Sequence, residues 1–98
     1  MTPDTGLPVQ TLNDIQRCLH EQFPQLHWVK LYGSRAMGRY WRGSDIDLAY
    51  SADNDCSAAL LEALDQLPTP YRFDVTHWES LRHHGLRHHI ERVGIPLP

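Results

Sequence analysis

From Asp45 to Tyr50 the sequence reads Asp-Ile-Asp-Leu-Ala-Tyr, polar and apolar residues alternating at a period of two. Successive side chains of a β-strand leave opposite faces, so this run predicts a strand with one face buried. Ile46, Leu48 and Tyr50 take the buried face, and Asp45 and Asp47 share the other. Any fold of this chain has to pack one side of that strand and still accommodate two carboxylates on its reverse.

The segments on either side supply the packing. Leu12, Ile15, Leu19 and Phe23 follow helical spacing, with Thr11 as a cap and Pro24 as a stop. Trp28–Tyr32 is a short β-favouring run that ends at Gly33-Ser34, and a turn or short helix is expected over about residues 35–40. Ser57 can cap a helix lined by Leu60, Leu61, Leu64 and Leu67, which Pro68-Thr69-Pro70 ends. Tyr71–Thr76 then returns as a strand on which Asp74 opposes Phe73 and Val75. A last helix is expected over Glu79–Val93, with Leu81, Leu86, Ile90 and Val93 apolar, Gly85 a weak point and Gly94 the stop. Helices and strands are interspersed, which makes the fold class α/β (α+β). Residues 1–10, with Pro3, Gly6 and Pro8 and no periodicity, are expected to form a flexible arm before a single domain over 11–98.

Composition narrows the function. A chain of 98 residues, 41% hydrophobic and 21% charged, suits one small globular domain. A net charge of −3 argues against a general nucleic-acid binder, which neutralises phosphates with an excess of Lys and Arg. No apolar run approaches the roughly 18–20 residues of a membrane span, and Met1–Gln10 has no basic-then-apolar signal pattern, so a cytoplasmic location is expected. Cys18 and Cys56 read as reduced thiols rather than a disulfide framework, with a single bridge left open.

Chemistry concentrates in one pattern: Gly33-Ser34, ten intervening residues, Asp45-x-Asp47, and a third carboxylate, Asp74, on another strand. Phosphoryl and nucleotidyl transfer need positioned metals, roughly 3.5–4 Å apart, that stabilise the attacking and leaving oxygens, and carboxylates are their natural hard ligands. Asp45 and Asp47, projecting together, can both reach such a pair. Asp74 can complete one shell or accept the proton of an attacking hydroxyl. Gly33 permits close approach of backbone to a phosphate, Ser34 offers a hydroxyl, and a following helix start presents free N–H groups. Ser44 either touches phosphate or caps its own loop. Arg35, Arg39 and Arg42 surround the site, and one of them is expected to offset triphosphate charge.

Two other features stand out. His84 and His88, within His83-His84-Gly85-Leu86-Arg87-His88-His89, are spaced i, i+4 and could share a zinc ion, but no completing ligand is evident and a solvated helix face is the plainer reading. Trp28, Trp41 and Trp78 read as core or interface residues, Trp41 being the interface candidate.

Gly33-Ser34-Arg35-Ala36-Met37-Gly38 followed by Ser44-Asp45-Ile46-Asp47-Leu48 resembles the signature of the minimal nucleotidyltransferase (MNT) family, and the likeness runs from about Leu12 to Pro96. It extends to Phe73-Asp74-Val75 at that family's third-carboxylate position. Met37 departs from it, standing where many relatives carry an arginine. The resemblance implies a polymerase-β-like nucleotidyltransferase core, a small mixed β-sheet flanked by helices. It also implies two Mg²⁺ ions on Asp45, Asp47 and Asp74, and ATP bound at Gly33, Ser34, Ser44 and Arg35. Small free-standing members are similar to the antitoxins of HEPN/MNT pairs, which implies a hetero-oligomer with a HEPN-type ribonuclease toxin and transfer of AMP to one of its tyrosines. The alternatives are an MNT domain that neutralises such a partner by binding alone and, third, a small-molecule nucleotidyltransferase, although those usually carry an added substrate domain.

Overall fold

The computed structural model describes residues 4–98. The elements, in chain order, are α1 (Val9–Gln22), β1 (Trp28–Tyr32), α2 (Gly33–Ala36), β2 (Ile46–Ser51), α3 (Ser57–Asp65), β3 (Phe73–His77), a short 3-10 turn (Trp78–Ser80), α4 (His84–Val93) and β4 (Ile95–Leu97). The four strands form one sheet in the order β3-β2-β1-β4. β1 runs antiparallel to both β2 and β4, and β2 runs parallel to β3. The parallel pair requires a crossover, and α3 supplies it.

The period-two pattern decides which side each helix covers. Ile46, Leu48 and Tyr50 of β2 and Val29 and Leu31 of β1 face a core closed by Ile15, Cys18 and Leu19 of α1 and by Leu60 and Leu64 of α3. The Tyr50 hydroxyl, buried in this core, is satisfied by Asp55 and Ser57. On the reverse face Ala49 and Tyr32 pack with Ile90 of α4, and Trp28 and Trp78 meet edge to face at 5.6 Å. Complete burial of Ile90 contributes about 2–3 kcal/mol and fixes which side of α4 meets the sheet. Asp47 and Asp74 lie on this reverse face, so one helix packs on the side that carries the carboxylates while two close the other.

Several boundaries differ from the sequence expectation. α1 begins at Val9 with Pro8 as its N-cap residue, and Thr11 is a buried position inside it rather than the cap. Pro8 carries no N–H and its fixed φ is compatible with a helix start, whereas Thr11 is needed on the packed face. α3 is preceded by Cys56, with the Asp55 side chain accepting the Ser57 N–H, so Ser57 is inside the helix. The last helix is shorter than Glu79–Val93: Trp78–Ser80 forms a 3-10 turn, and α4 starts afresh at His84 with the His83 ring accepting the Leu86 N–H. Leu81 reaches the core from extended backbone outside the helix. β4, which the sequence reading did not assign, pairs Ile95–Leu97 with Val29–Leu31. Its Pro96 sits on an edge strand, where a missing N–H is tolerated.

The arm expected over residues 1–10 is corrected in part. Residues 9 and 10 belong to α1, the Thr5 carbonyl accepts from Arg35, and Asp4 accepts from Gly6 N–H and Tyr40 O–H. Residues 1–3 lie outside the described residues. Cys18 and Cys56 are both free thiols. Among the described residues no helix is long and apolar enough to cross a membrane.

Candidate active site

Strand register gathers the carboxylates. Tyr32 of β1 pairs with Asp47 of β2, and Asp47 pairs with Asp74 of β3, so the three residues form a row across the sheet on one face. Asp45 precedes β2 by one residue and is exposed, as is Asp74, while Asp47 is half-buried. Burial, followed by the charges of Asp74 and Asp45, raises the Asp47 carboxyl to a pKa of about 6. Burial also holds the Tyr32 phenol above its usual range, against a lowering hydrogen bond from Thr76 at 3.0 Å.

Gly33 closes the row. Its φ is +78°, a left-handed conformation that suits glycine, and a Cβ placed there would collide with the Asp47 carboxylate. The glycine therefore lets the β1–α2 backbone lie directly against the central carboxylate. Its N–H donates to His89 Nε2 at 3.1 Å, and the His89 ring stands edge-on to Tyr32 at 6.0 Å. Ser34 is half-buried in the single turn of α2.

Two residues expected to serve phosphate have other partners. Arg35 is only 1% exposed: Nε and Nη2 donate to the Ser44 carbonyl, Nη1 donates to the Thr5 carbonyl, and the guanidinium lies over the Tyr40 and Tyr71 rings. It is a buried clamp under the loop that leads to Asp45. Ser44 is also buried, and its hydroxyl accepts the Trp41 N–H at 2.9 Å, which is the loop-capping alternative. Arg39 and Arg42 remain exposed. Trp41, at 72% exposure, borders an open groove of about 820 Å³ that Arg42, Tyr71 and Arg72 also line.

The histidine run divides. His84 and His88 lie exposed, His83 caps α4, and His89 alone of the four reaches the Gly33 loop. His89 was missed as a site residue from sequence, because apolar spacing fixes the buried stripe of a helix but not which flanking polar residue meets a distant loop. Among the described residues, no three His, Cys, Asp or Glu side chains form a ready metal cage. The carboxylates share a corner without converging on one point. Their chemistry nevertheless fits a hard divalent cation: the donors are all carboxylate oxygens, and Asp47, raised first by burial and then by the charges of Asp74 and Asp45, is a carboxylate whose ionised form a cation would favour.

Comparison with known proteins places this corner in a family. Residues 13–97 match the family described as polymerase beta, nucleotidyltransferase. Among curated proteins nothing matches. Among solved structures, the chain is similar to one in a toxin–antitoxin crystal structure with AMP-PNP, at 27% identity and a TM-score of 0.67, covering 89% of this chain and 72% of that one. It also resembles a chain of the toxin–antitoxin MntA-HepT, at 23% identity and TM-score 0.62, covering 93% and 72%. A third similar chain comes from a tri-AMPylated Shewanella oneidensis HEPN toxin in complex with MNT antitoxin, at 24% identity and TM-score 0.60, covering 91% and 70%. The last two likenesses are of fold. With the family match spanning most of the sequence and the carboxylate row in register, the chain belongs to the polymerase-beta-type nucleotidyltransferase family.

Proposed function

We propose that this protein is a Mg²⁺-dependent protein adenylyltransferase that moves AMP from ATP to a tyrosine hydroxyl of a HEPN-type ribonuclease toxin and so acts as its antitoxin in a hetero-oligomer. The observation that carries the chemistry is the register of Asp47 with Asp74 beside a glycine whose backbone rests on the Asp47 carboxylate. The similar structures that hold AMP-PNP or an AMPylated HEPN toxin support the choice of nucleotide and acceptor.

In this reading Asp45, Asp47 and Asp74 hold Mg²⁺, and Gly33 and Ser34 flank the triphosphate. The bound cation would neutralise charge on the phosphates and stabilise the oxygens that attack and leave. Asp74, on the edge strand β3, would accept the proton of the incoming hydroxyl. The bond from the tyrosine oxygen to the α-phosphorus forms as the bond to the β-phosphate bridging oxygen breaks, and pyrophosphate leaves. Arg35 and Ser44 act from beneath, holding the loop that delivers Asp45.

Intact-mass measurement of a co-expressed HEPN partner, incubated with the protein, Mg²⁺ and ATP, tests this. Partner mass is expected to rise by whole AMP units with the native protein and to stay unchanged with Asp45→Asn/Asp47→Asn. A partner bound stably yet never modified would replace this reading with neutralisation by masking alone.

A further inference from the structure

Gly33 carries an arrangement that the motif does not account for. Its Cα side is occupied by the Asp47 carboxylate, and its N–H side by the imidazole of His89. A glycine at φ +78° has no side chain to hold its peptide plane, so that orientation depends on what its N–H and its neighbours meet. The N–H meets one acceptor, His89 Nε2.

His89 is delivered by a well-anchored element. Next to it, Ile90 is fully buried against Tyr32 and Ala49. Two residues before it, Arg87 donates to the Trp78 and Leu81 carbonyls and stacks over the Trp78 ring at 4.0 Å. The start of α4 is capped by His83. The His89 ring is steadied by its edge contact with Tyr32, whose hydroxyl is tied to Thr76 on β3. Because Nε2 accepts the Gly33 N–H, it presents its lone pair, and the ring proton of the neutral form resides on Nδ1.

We propose that His89 is a positioning residue of the active site: by accepting the Gly33 N–H from α4, it orients the β1–α2 peptide against which the Asp47 carboxylate rests. Its effect on catalysis rests on the nucleotidyl-transfer reading above, but its effect on Gly33 does not. The helix therefore links the far end of the sheet to the central carboxylate through one backbone amide.

Two substitutions separate positioning from packing. His89→Leu keeps side-chain bulk on α4 and removes the acceptor, and His89→Gln restores one at comparable reach. In amide hydrogen exchange on the intact protein, Gly33 should exchange about fivefold to tenfold faster in His89→Leu, as expected for loss of one hydrogen bond, and return to within about threefold of native in His89→Gln. The amides of Leu48 and Ala49, in the sheet interior, should not change. In the transfer assay His89→Leu should lower kcat about tenfold with a smaller change in KM for ATP, and His89→Gln should recover it. Unchanged Gly33 exchange in His89→Leu would overturn the proposal, as would equal acceleration at Leu48 and Ala49, which would mean general loosening. If the native protein transfers nothing, the adenylyltransferase reading fails by itself, and the Gly33 amide still decides the role of His89.

Discussion

Asp47 concentrates the energetics of the site. Burial and two neighbouring carboxylates raise its pKa from the ordinary 3.8 to about 6. A carboxyl whose folded pKa lies above its unfolded value favours folding most below the unfolded pKa, and that advantage is lost as pH rises through the folded pKa. Ionised Asp47 is therefore a destabilising element above about pH 6, and Asp47→Asn, which keeps shape without charge, should melt a few degrees higher than the native protein near pH 8. The difference should vanish toward about pH 3, where both side chains are neutral, and Mg²⁺ should narrow it near pH 8 by stabilising the native carboxylate. Thermal melts of both proteins across pH, with and without Mg²⁺, check this; a native protein equally stable or more stable than the variant near pH 8 without metal contradicts it. The shared face of Asp45 and Asp47 was legible in the sequence because period-two alternation states which side chains leave a strand together, and Gly33 stood out as the turn that ends the preceding β-favouring run. The enclosure of Arg35 was not, since an arginine beside the Gly-Ser loop reads as a phosphate partner until the two tyrosine rings and two carbonyls that enclose it are assembled in space.

At the scale of elements, the strands with clean alternation and the helices with a continuous apolar stripe were readable, and the ends were not. β4 is three residues long with a proline in the middle, so nothing local marks it, and its pairing with β1 is a tertiary effect. The start of α4 was obscured for the opposite reason. Apolar residues recur from Leu81 to Val93 without an evident break, but the chain makes a 3-10 turn and an extended link before His83 starts the helix. A cap formed by an imidazole is not among the Ser, Thr, Asp and Asn signals by which helix starts are recognised. The cap should still be measurable: His83→Ala removes the acceptor of the Leu86 N–H and should cost about 0.5–1 kcal/mol in urea unfolding. His84→Ala, at an exposed position one residue on, should stay within about 0.5 kcal/mol of native. Equal losses in both would mean that the His83 contact does not act as a cap.

Across the whole molecule, Arg35 connects segments distant in sequence: the amino-terminal segment through Thr5, the loop before β2 through Ser44 and Tyr40, and the approach to β3 through Tyr71. Among the described residues no carboxylate forms an ion pair with it. Its buried charge is met by carbonyl oxygens and aromatic faces, so these partners should act as one unit. Arg35→Met should destabilise the fold by about 2–3 kcal/mol, the scale of losing charge-assisted hydrogen bonds. Removing residues 1–6 takes away the Thr5 carbonyl and the Asp4 carboxylate that holds Tyr40, and should cost about 1–2 kcal/mol. Because both changes break the same clamp, the deletion should cost at least about 0.5 kcal/mol less in the Arg35→Met background than in the native one. Urea unfolding of the four proteins in this cycle gives that coupling directly. Additive losses would show that the amino-terminal segment docks independently of Arg35, and a coupled loss would mean that the loop carrying Ser44 toward Asp45 is held in place from the start of the chain.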